Sequence, residues 1–131
     1  MLSTKLRLIY ERAVYEAELE EGRVRFQVAQ APVGRAPSQA LAIVTAWNPA
    51  ELRPERAVNE RANVRLAEEI ERCGWRAYAA RGGSGDGSHV EPSFAVANIS
   101  RAEALALGRR YAQAAVFYWD GSDATILYCS D

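Results

Sequence analysis

The amino-acid sequence predicts an α+β fold, with a mainly antiparallel sheet of about six or seven strands and two to three helices packed on it. Three observations carry that expectation. Short apolar runs alternate with period two and come mostly in pairs joined by turn residues, the pattern of hairpins. Two longer stretches show helical spacing, with start or stop residues at their ends. The 131 residues suffice for one core without disulfide or metal staples, and no repeat or linker divides them. A single domain over residues 1–131 is therefore expected.

"TKLRLIYERA" places Leu6, Ile9 and Tyr10 at helical spacing and predicts a short first helix. In "AVYEAELEEGRVRFQV", Tyr15, Ala17 and Leu19 alternate with Val14, Glu16 and Glu18. After the "EEG" turn, Val24, Phe26 and Val28 alternate with Arg23, Arg25 and Gln27, which makes a hairpin with one wet face. "AQAPVGRAPS" is loop, with two prolines and a glycine. "QALAIVTAW" is nearly all apolar and predicts a central strand covered on both faces. A long helix is expected from about Pro54 to Cys73, with Pro54 in its first turn and Gly74 as its C′ stop. "WRAYAA" and "HVEPSFAVAN" read as strands on either side of "RGGSGDGS", a loop with four glycines in eight residues. Ser100 and Glu103 predict a capping box for the helix "RAEALALGRRYAQ". "AAVFYW" and "ATILYC" flank "DGSD", a hairpin signal.

Composition removes several classes of function. With 49% apolar and 25% charged residues the chain is that of an ordinary globular domain. A net charge of −1 argues against an electrostatic nucleic-acid footprint, so nucleic acid is not an expected partner. Cys73 and Cys129 form no CxxC pair and are too few for a disulfide framework. No apolar run reaches signal-peptide or transmembrane length, so a bacterial-type cytoplasmic protein without a membrane partner is expected.

The informative residues are polar ones on faces that should be apolar. In the long helix, wound at about 100° per residue, Asn59, Asn63, Leu66 and Ile70 fall on one narrow face. Glu60, Arg61, Arg65, Glu68, Glu69 and Arg72 surround the opposite surface, so the asparagines continue the buried stripe. Burying such amides without partners costs about 1–3 kcal/mol each. Either they line a polar pocket at the positive end of the helix dipole, or they bond neighbouring backbone such as the "WNP" turn. In "EPSF", Glu91 and Ser93 share a side with Ala95 and Ala97, a face closely covered, as by a helix. Glu91 is then either a general base or ligand anchor, or a solvated edge carboxylate. Asn48, Pro49 and Glu51 match N-cap, N1 and N3 of a short helical turn. The glycine loop is either a phosphate cradle, for which it lacks the P-loop spacing, or a simple connection. His89, the lone histidine, reads as structural or exposed. One histidine and two distant cysteines give no metal-ligand spacing, and Asp86, His89 and Ser93 are too close along one strand to form a relay. Neither metal nor cofactor is expected.

These outliers coincide with a family resemblance. The stretches "AIVTAWNP", "NERANVRLAEEI", "VEPSF" and "ALALGRRYAQAAV", in that order, resemble the bacterial family known as domain of unknown function 3293, over about residues 40–127. The family pattern matches at Thr45, Trp47, Asn48, Pro49, Asn59, Asn63, Glu91, Ser93, Phe94 and Gln113. The sequence departs from it at Ala112 and Ala114, where a glycine and an asparagine flank Gln113 in the pattern. It also departs just before Glu91, where an aromatic is usual and His89-Val90 stands. The resemblance implies no assigned activity, ligand or catalytic residue.

Two functions follow. In the first, Trp47, Asn48, Asn59, Asn63, Ser93 and Gln113 converge on a cleft that binds a small polar ligand, nucleotide- or sugar-like. Glu91 is its catalytic acid–base candidate and the glycine loop its lid. In the second, the same residues form a structural hydrogen-bond network. The protein is then a non-enzymatic interaction or oligomerisation module, using an exposed surface such as the aromatic hairpin "VFYWDGSDATILY" or an edge-strand homodimer.

Overall fold

A computed structural model describes residues 2–130. The elements in chain order are α1 (Thr4–Arg12), β1 (Val14–Leu19), β2 (Gly22–Phe26), β3 (Leu41–Val44), a 3-10 turn (Pro49–Glu51), α2 (Arg56–Arg72), β4 (Ala77–Gly83), β5 (Val90–Ala97), α3 (Arg101–Arg110), β6 (Ala115–Trp119) and β7 (Ala124–Tyr128). The seven strands make one sheet in the order β2-β1-β4-β5-β3-β6-β7, every neighbouring pair antiparallel. The α+β expectation thus holds, with three helices.

The sheet is curled. Along its order, β1 and β6 are four steps apart, roughly 19 Å on a flat sheet at the usual strand spacing. Yet the rings of Tyr15 on β1 and Phe117 on β6 stack with centroids 4.6 Å apart, and Phe26 on β2 lies 5.3 Å from Trp119. The concave face therefore closes on itself around Tyr15, Ala17, Val24, Phe26, Ile43, Ala95 and Phe117. The convex face carries α2 and α3, with Leu66, Ile70, Ala104 and Leu107 packed on Ala42, Val44, Val96 and Val116. Period-two alternation sends neighbouring residues of β3 into different cores, which is why all four of its residues are buried.

Several expectations are sharpened here. β3 ends at Val44 rather than running on to Trp47. Pro54 stands outside α2, whose first residue is Arg56, while Gly74 ends it with φ +80° as expected. β4 continues through Gly82 and Gly83, so the glycine loop is confined to residues 84–89. The small residue Ala95 on β5 lies under the aromatic concave core and not under a helix. The aromatics of the last hairpin, Phe117, Tyr118 and Trp119, are buried and offer no docking surface. Their polar tips are satisfied inside: Tyr118 donates to the Ile99 carbonyl at 2.8 Å and Trp119 Nε1 to that of Pro37 at 2.7 Å. Glu69 belongs to the buried face of α2, where it accepts from the Tyr111 hydroxyl at 2.7 Å and pairs with Arg110. That contact joins the C-terminal ends of α2 and α3.

α3 begins with the expected capping box of Ser100 and Glu103, both of whose bonds are made. It ends in a Schellman motif: Gln113 N–H donates to the Gly108 carbonyl at 2.8 Å and Ala112 N–H to that of Arg109 at 3.1 Å. Ala112 holds the left-handed position, φ +56°, where glycine is usual. Gly108, in turn, lets α3 press on the sheet. A Cβ there would stand 2.6 Å from Val116 Cγ2 and 2.7 Å from Cys129 Sγ, both short side chains with little room to yield.

Two exchanges between glycine and alanine in this one segment should therefore have opposite signs. Ala112→Gly relieves a left-handed alanine, worth about 1–2 kcal/mol, against an entropic cost of about 0.5–1 kcal/mol, and should stabilise by roughly 0.5–1 kcal/mol. Gly108→Ala gains about 1 kcal/mol of helix propensity but overpacks a buried contact at about 1–3 kcal/mol, so it should destabilise. Urea denaturation of the two variants measures both.

Candidate functional site

The site grows from the place where β3 leaves the sheet. Its register with β5 pairs Val44 with Phe94, so Ala46 would stand opposite Pro92 if the ladder continued. Pro92 has no N–H to return, and the ladder ends. The buried Asn63 amide fills the gap. Asn63 Oδ1 accepts from Ala46 N–H at 2.8 Å, and Nδ2 donates to the Pro92 carbonyl at 3.0 Å. The Thr45 hydroxyl donates to the same carbonyl at 2.8 Å and accepts from Trp47 N–H at 3.0 Å. Asn59, one turn earlier on α2, accepts from Asn48 N–H at 2.9 Å and donates to Asn48 Oδ1 at 2.9 Å. Ala50 N–H reaches the Ala112 carbonyl at 2.7 Å. The irregular segment after β3 is thus held by side chains in place of a sheet.

Its backbone is unusual. Asn48, Ala50 and Glu51 all have left-handed φ, at +48°, +55° and +60°. The Asn48 side chain makes no N-cap bond to the 3-10 turn, contrary to the capping expectation. It faces Glu91 instead, donating through Nδ2 to Glu91 Oε2 at 3.2 Å. The same oxygen meets His89 Nε2 at 2.9 Å. Glu91 Oε1 accepts no hydrogen bond among the described residues.

Glu91 opens onto a cleft of about 890 Å³ against the concave sheet face. Its floor is Tyr15, Ile43 and Phe117, one wall is α1 through Leu6, Ile9 and Tyr10, and the rim includes Asn48, Glu51 and the turn after β4. Ser93 lines the cleft and donates to the Glu91 carbonyl at 3.0 Å. Gln113 lines it too, anchored by Nε2 bonds of 3.1 Å each to the carbonyls of Trp47 and Tyr111. The α1 wall is fastened by the Tyr10 hydroxyl, which donates to Glu51 Oε1 at 2.5 Å. Burial first, then that bond and the Glu51 charge, push the Tyr10 hydroxyl well above its ordinary pKa, so it remains a donor.

Of the residues singled out in the sequence, Asn48, Glu91, Ser93 and Gln113 meet in this cleft. Asn59 stands behind Asn48, both of its amide atoms engaged. Asn63 and Trp47 border a separate, shallower depression of about 550 Å³ between α2 and β5, where Arg56 lies over the Trp47 ring at 5.9 Å. Lys5, Tyr10, Arg12, Glu51 and Arg53 line the main cleft without any sequence pattern announcing it. Tyr10 and Glu51 are 41 positions apart, and only the curl of the sheet brings α1 over β5. The glycine turn closes on itself: Ser84 N–H bonds the His89 carbonyl, His89 N–H the Ser84 hydroxyl, and Ser88 N–H Asp86. The Ser88 N–H, then the hydroxyls of Ser88 and Ser84, hold the Asp86 carboxyl down at about 2. With those N–H groups engaged and a carboxylate at its tip, the turn is no phosphate cradle. Cys129 is buried and its thiol is pushed up by that burial, the nearby Arg109 opposing, while Cys73 is exposed. No group of three or more potential metal ligands occurs among the described residues.

The fold and cleft define a small α+β protein with a carboxylate-bearing cleft where its sheet parts. Residues 44–116 match the family described as "Protein of unknown function (DUF3293)", more than half of the chain, and the chain belongs to that family. The match contains Asn48, Asn59, Asn63, Glu91, Ser93 and Gln113, while α1, β1, β2 and β7 lie outside it. No curated protein and no solved structure matches the chain. No helix among the described residues is long and apolar enough to cross a membrane.

Asn63→Ala should lower stability by about 2–3 kcal/mol, because it leaves the buried Ala46 N–H without an acceptor and removes one of two donors to Pro92. Thermal unfolding measures this. Thr45→Val should cost less, since Asn63 still serves the Pro92 carbonyl.

Proposed function

We propose that the protein binds a small polar ligand, nucleotide- or sugar-like, in the cleft above Tyr15, Ile43 and Phe117. Glu91 anchors that ligand and is the acid–base group available for hydrolysis or transfer. One observation carries the reading: Glu91 Oε2 is fixed by His89 and Asn48, while Oε1 in the same cleft accepts nothing from the described residues. A carboxylate held on one oxygen and open on the other is pre-organised to accept from a ligand hydroxyl or water. The Gln113 amide is similar, its Nε2 engaged with backbone and its Oε1 without a partner among the described residues. The cleft volume falls within the range of small-molecule sites, and an apolar floor with few convergent polar groups is their usual make-up.

The second reading, a purely structural network, is favoured by Asn59 and Asn63, whose amides are engaged within the protein. It assigns no role to the open oxygens of Glu91 and Gln113, which are within reach of water and of a ligand alike. Glu91→Gln separates the two. The variant should keep its melting temperature, because a glutamine oxygen still accepts from Asn48, and should lose binding in saturation-transfer NMR against a set of nucleosides and monosaccharides. A melting temperature lowered by several degrees, with the wild type binding none of the set, would instead make Glu91 a structural residue.

A further inference from the structure

Building on the cleft as a ligand site, we infer that its ligand carries a phosphate-like anionic group beside a flat aromatic ring and hydroxyl donors, as a mononucleotide does. Lys5, Arg12 and Arg53 all line this cleft, and none has an ion-pair partner among the described residues. Elsewhere Arg23, Arg35, Arg56 and Arg81 each meet a carboxylate within 3.2 Å. Lone surface arginines also occur on the solvated side of α2. What distinguishes these three cations is that they converge from α1 and from the segment after the 3-10 turn on one concavity.

Glu51 and Glu91 share the cleft, so three cations face two carboxylates and one positive charge is in surplus. Glu51 is engaged with the Tyr10 hydroxyl, and Glu91 with His89 and Asn48. The chain as a whole has net charge −1, so a local surplus of cations is not inherited from its composition. A concavity with low-dielectric walls strengthens such a field toward an anion. A phosphate monoester, with close to two negative charges and three acceptor oxygens, matches three cations better than a single carboxylate does. The rest of the molecule is specified by the floor and by the free acceptors. Tyr15, Ile43 and Phe117 present apolar and aromatic surface, while the open oxygens of Glu91 and Gln113 can accept from ligand donors such as vicinal hydroxyls. A neutral sugar would use the acceptors and leave the cations and the apolar floor unmatched.

The test is isothermal titration calorimetry of the whole protein with four probes: adenosine 5′-monophosphate, uridine 5′-monophosphate, and the uncharged nucleosides adenosine and uridine. At least one monophosphate should bind roughly tenfold or more tighter than its nucleoside, the scale of a charge-assisted contact, with a margin that shrinks as salt is added. The triple variant Lys5→Ala, Arg12→Ala, Arg53→Ala should erase that margin and leave the melting temperature unchanged, since all three residues are exposed. Equal affinity for nucleoside and monophosphate, lost in Glu91→Gln, would overturn the anion inference and leave the cleft reading standing. No binding of any probe by the wild type would overturn this inference, and the NMR comparison of Glu91→Gln would then decide the cleft reading separately.

Discussion

The Asn63 amide between Ala46 and Pro92 is the contact on which the site depends. In an unbroken ladder, β3 would continue beside β5 and carry Thr45, Trp47 and Asn48 along the sheet. Proline at position 92 removes one bond of that continuation, and the Asn63 amide supplies the others in a different geometry, as a side-chain peptide inserted between two strands. The chain beyond Val44 is thereby freed to fold over the end of β5. The parting of the strands makes one end of the cleft, and the curl of the sheet makes the rest.

That parting explains both the visible and the hidden parts of the site. Hairpins, helices and the α3 capping box were legible because each is a local pattern: period two, period 3.6, or Ser100 and Glu103 three apart. Asn59 and Asn63 were legible as misplaced polar residues on the buried stripe of α2, but their partners were not. The groups they serve are the N–H of Ala46 and Asn48 and the carbonyl of Pro92, and backbone atoms leave no trace in residue type. Glu69 was misassigned to the wet face for a related reason. Its partner Tyr111 lies 42 positions away, and nothing in the α2 stretch says that the ends of two helices meet. Lys5 and Arg12 gave no sign of a place in the cleft, because α1 approaches the sheet only through its curl.

The cleft joins two parts of the chain of different standing. Its framework of Asn48, Asn59, Glu91, Ser93 and Gln113 lies inside the family match, whereas Tyr10 and Tyr15 lie before it. α1 buries none of its residues, yet Leu6, Ile9 and Tyr10 form one wall. A helix with so little burial contributes little to the core. It is held by a few contacts: Tyr10 to Glu51, Tyr15 to the Tyr10 carbonyl at 3.4 Å, and the Arg7 guanidinium over the Tyr128 ring at 4.2 Å. Its substantial effect is to enclose the concave face, which raises the strength of every polar interaction inside.

The left-handed run at Asn48, Ala50 and Glu51 is best understood with this enclosure. Non-glycine residues in that region cost on the order of 1 kcal/mol each, and three of them fall within four positions. Asparagine tolerates the conformation better than most residues, but alanine and glutamate have no such excuse. Each strained residue is held by a bond that bears on the cleft: Asn48 by Asn59, which leaves its Nδ2 for Glu91; Ala50 by the Ala112 carbonyl, next to Gln113; and Glu51 by Tyr10 on the opposite wall. A turn needed only to connect β3 to α2 would have no reason to retain this conformation. Aiming Asn48 at Glu91 and Glu51 at Tyr10 is a reason, and it ties the segment after β3 to both walls of the cleft.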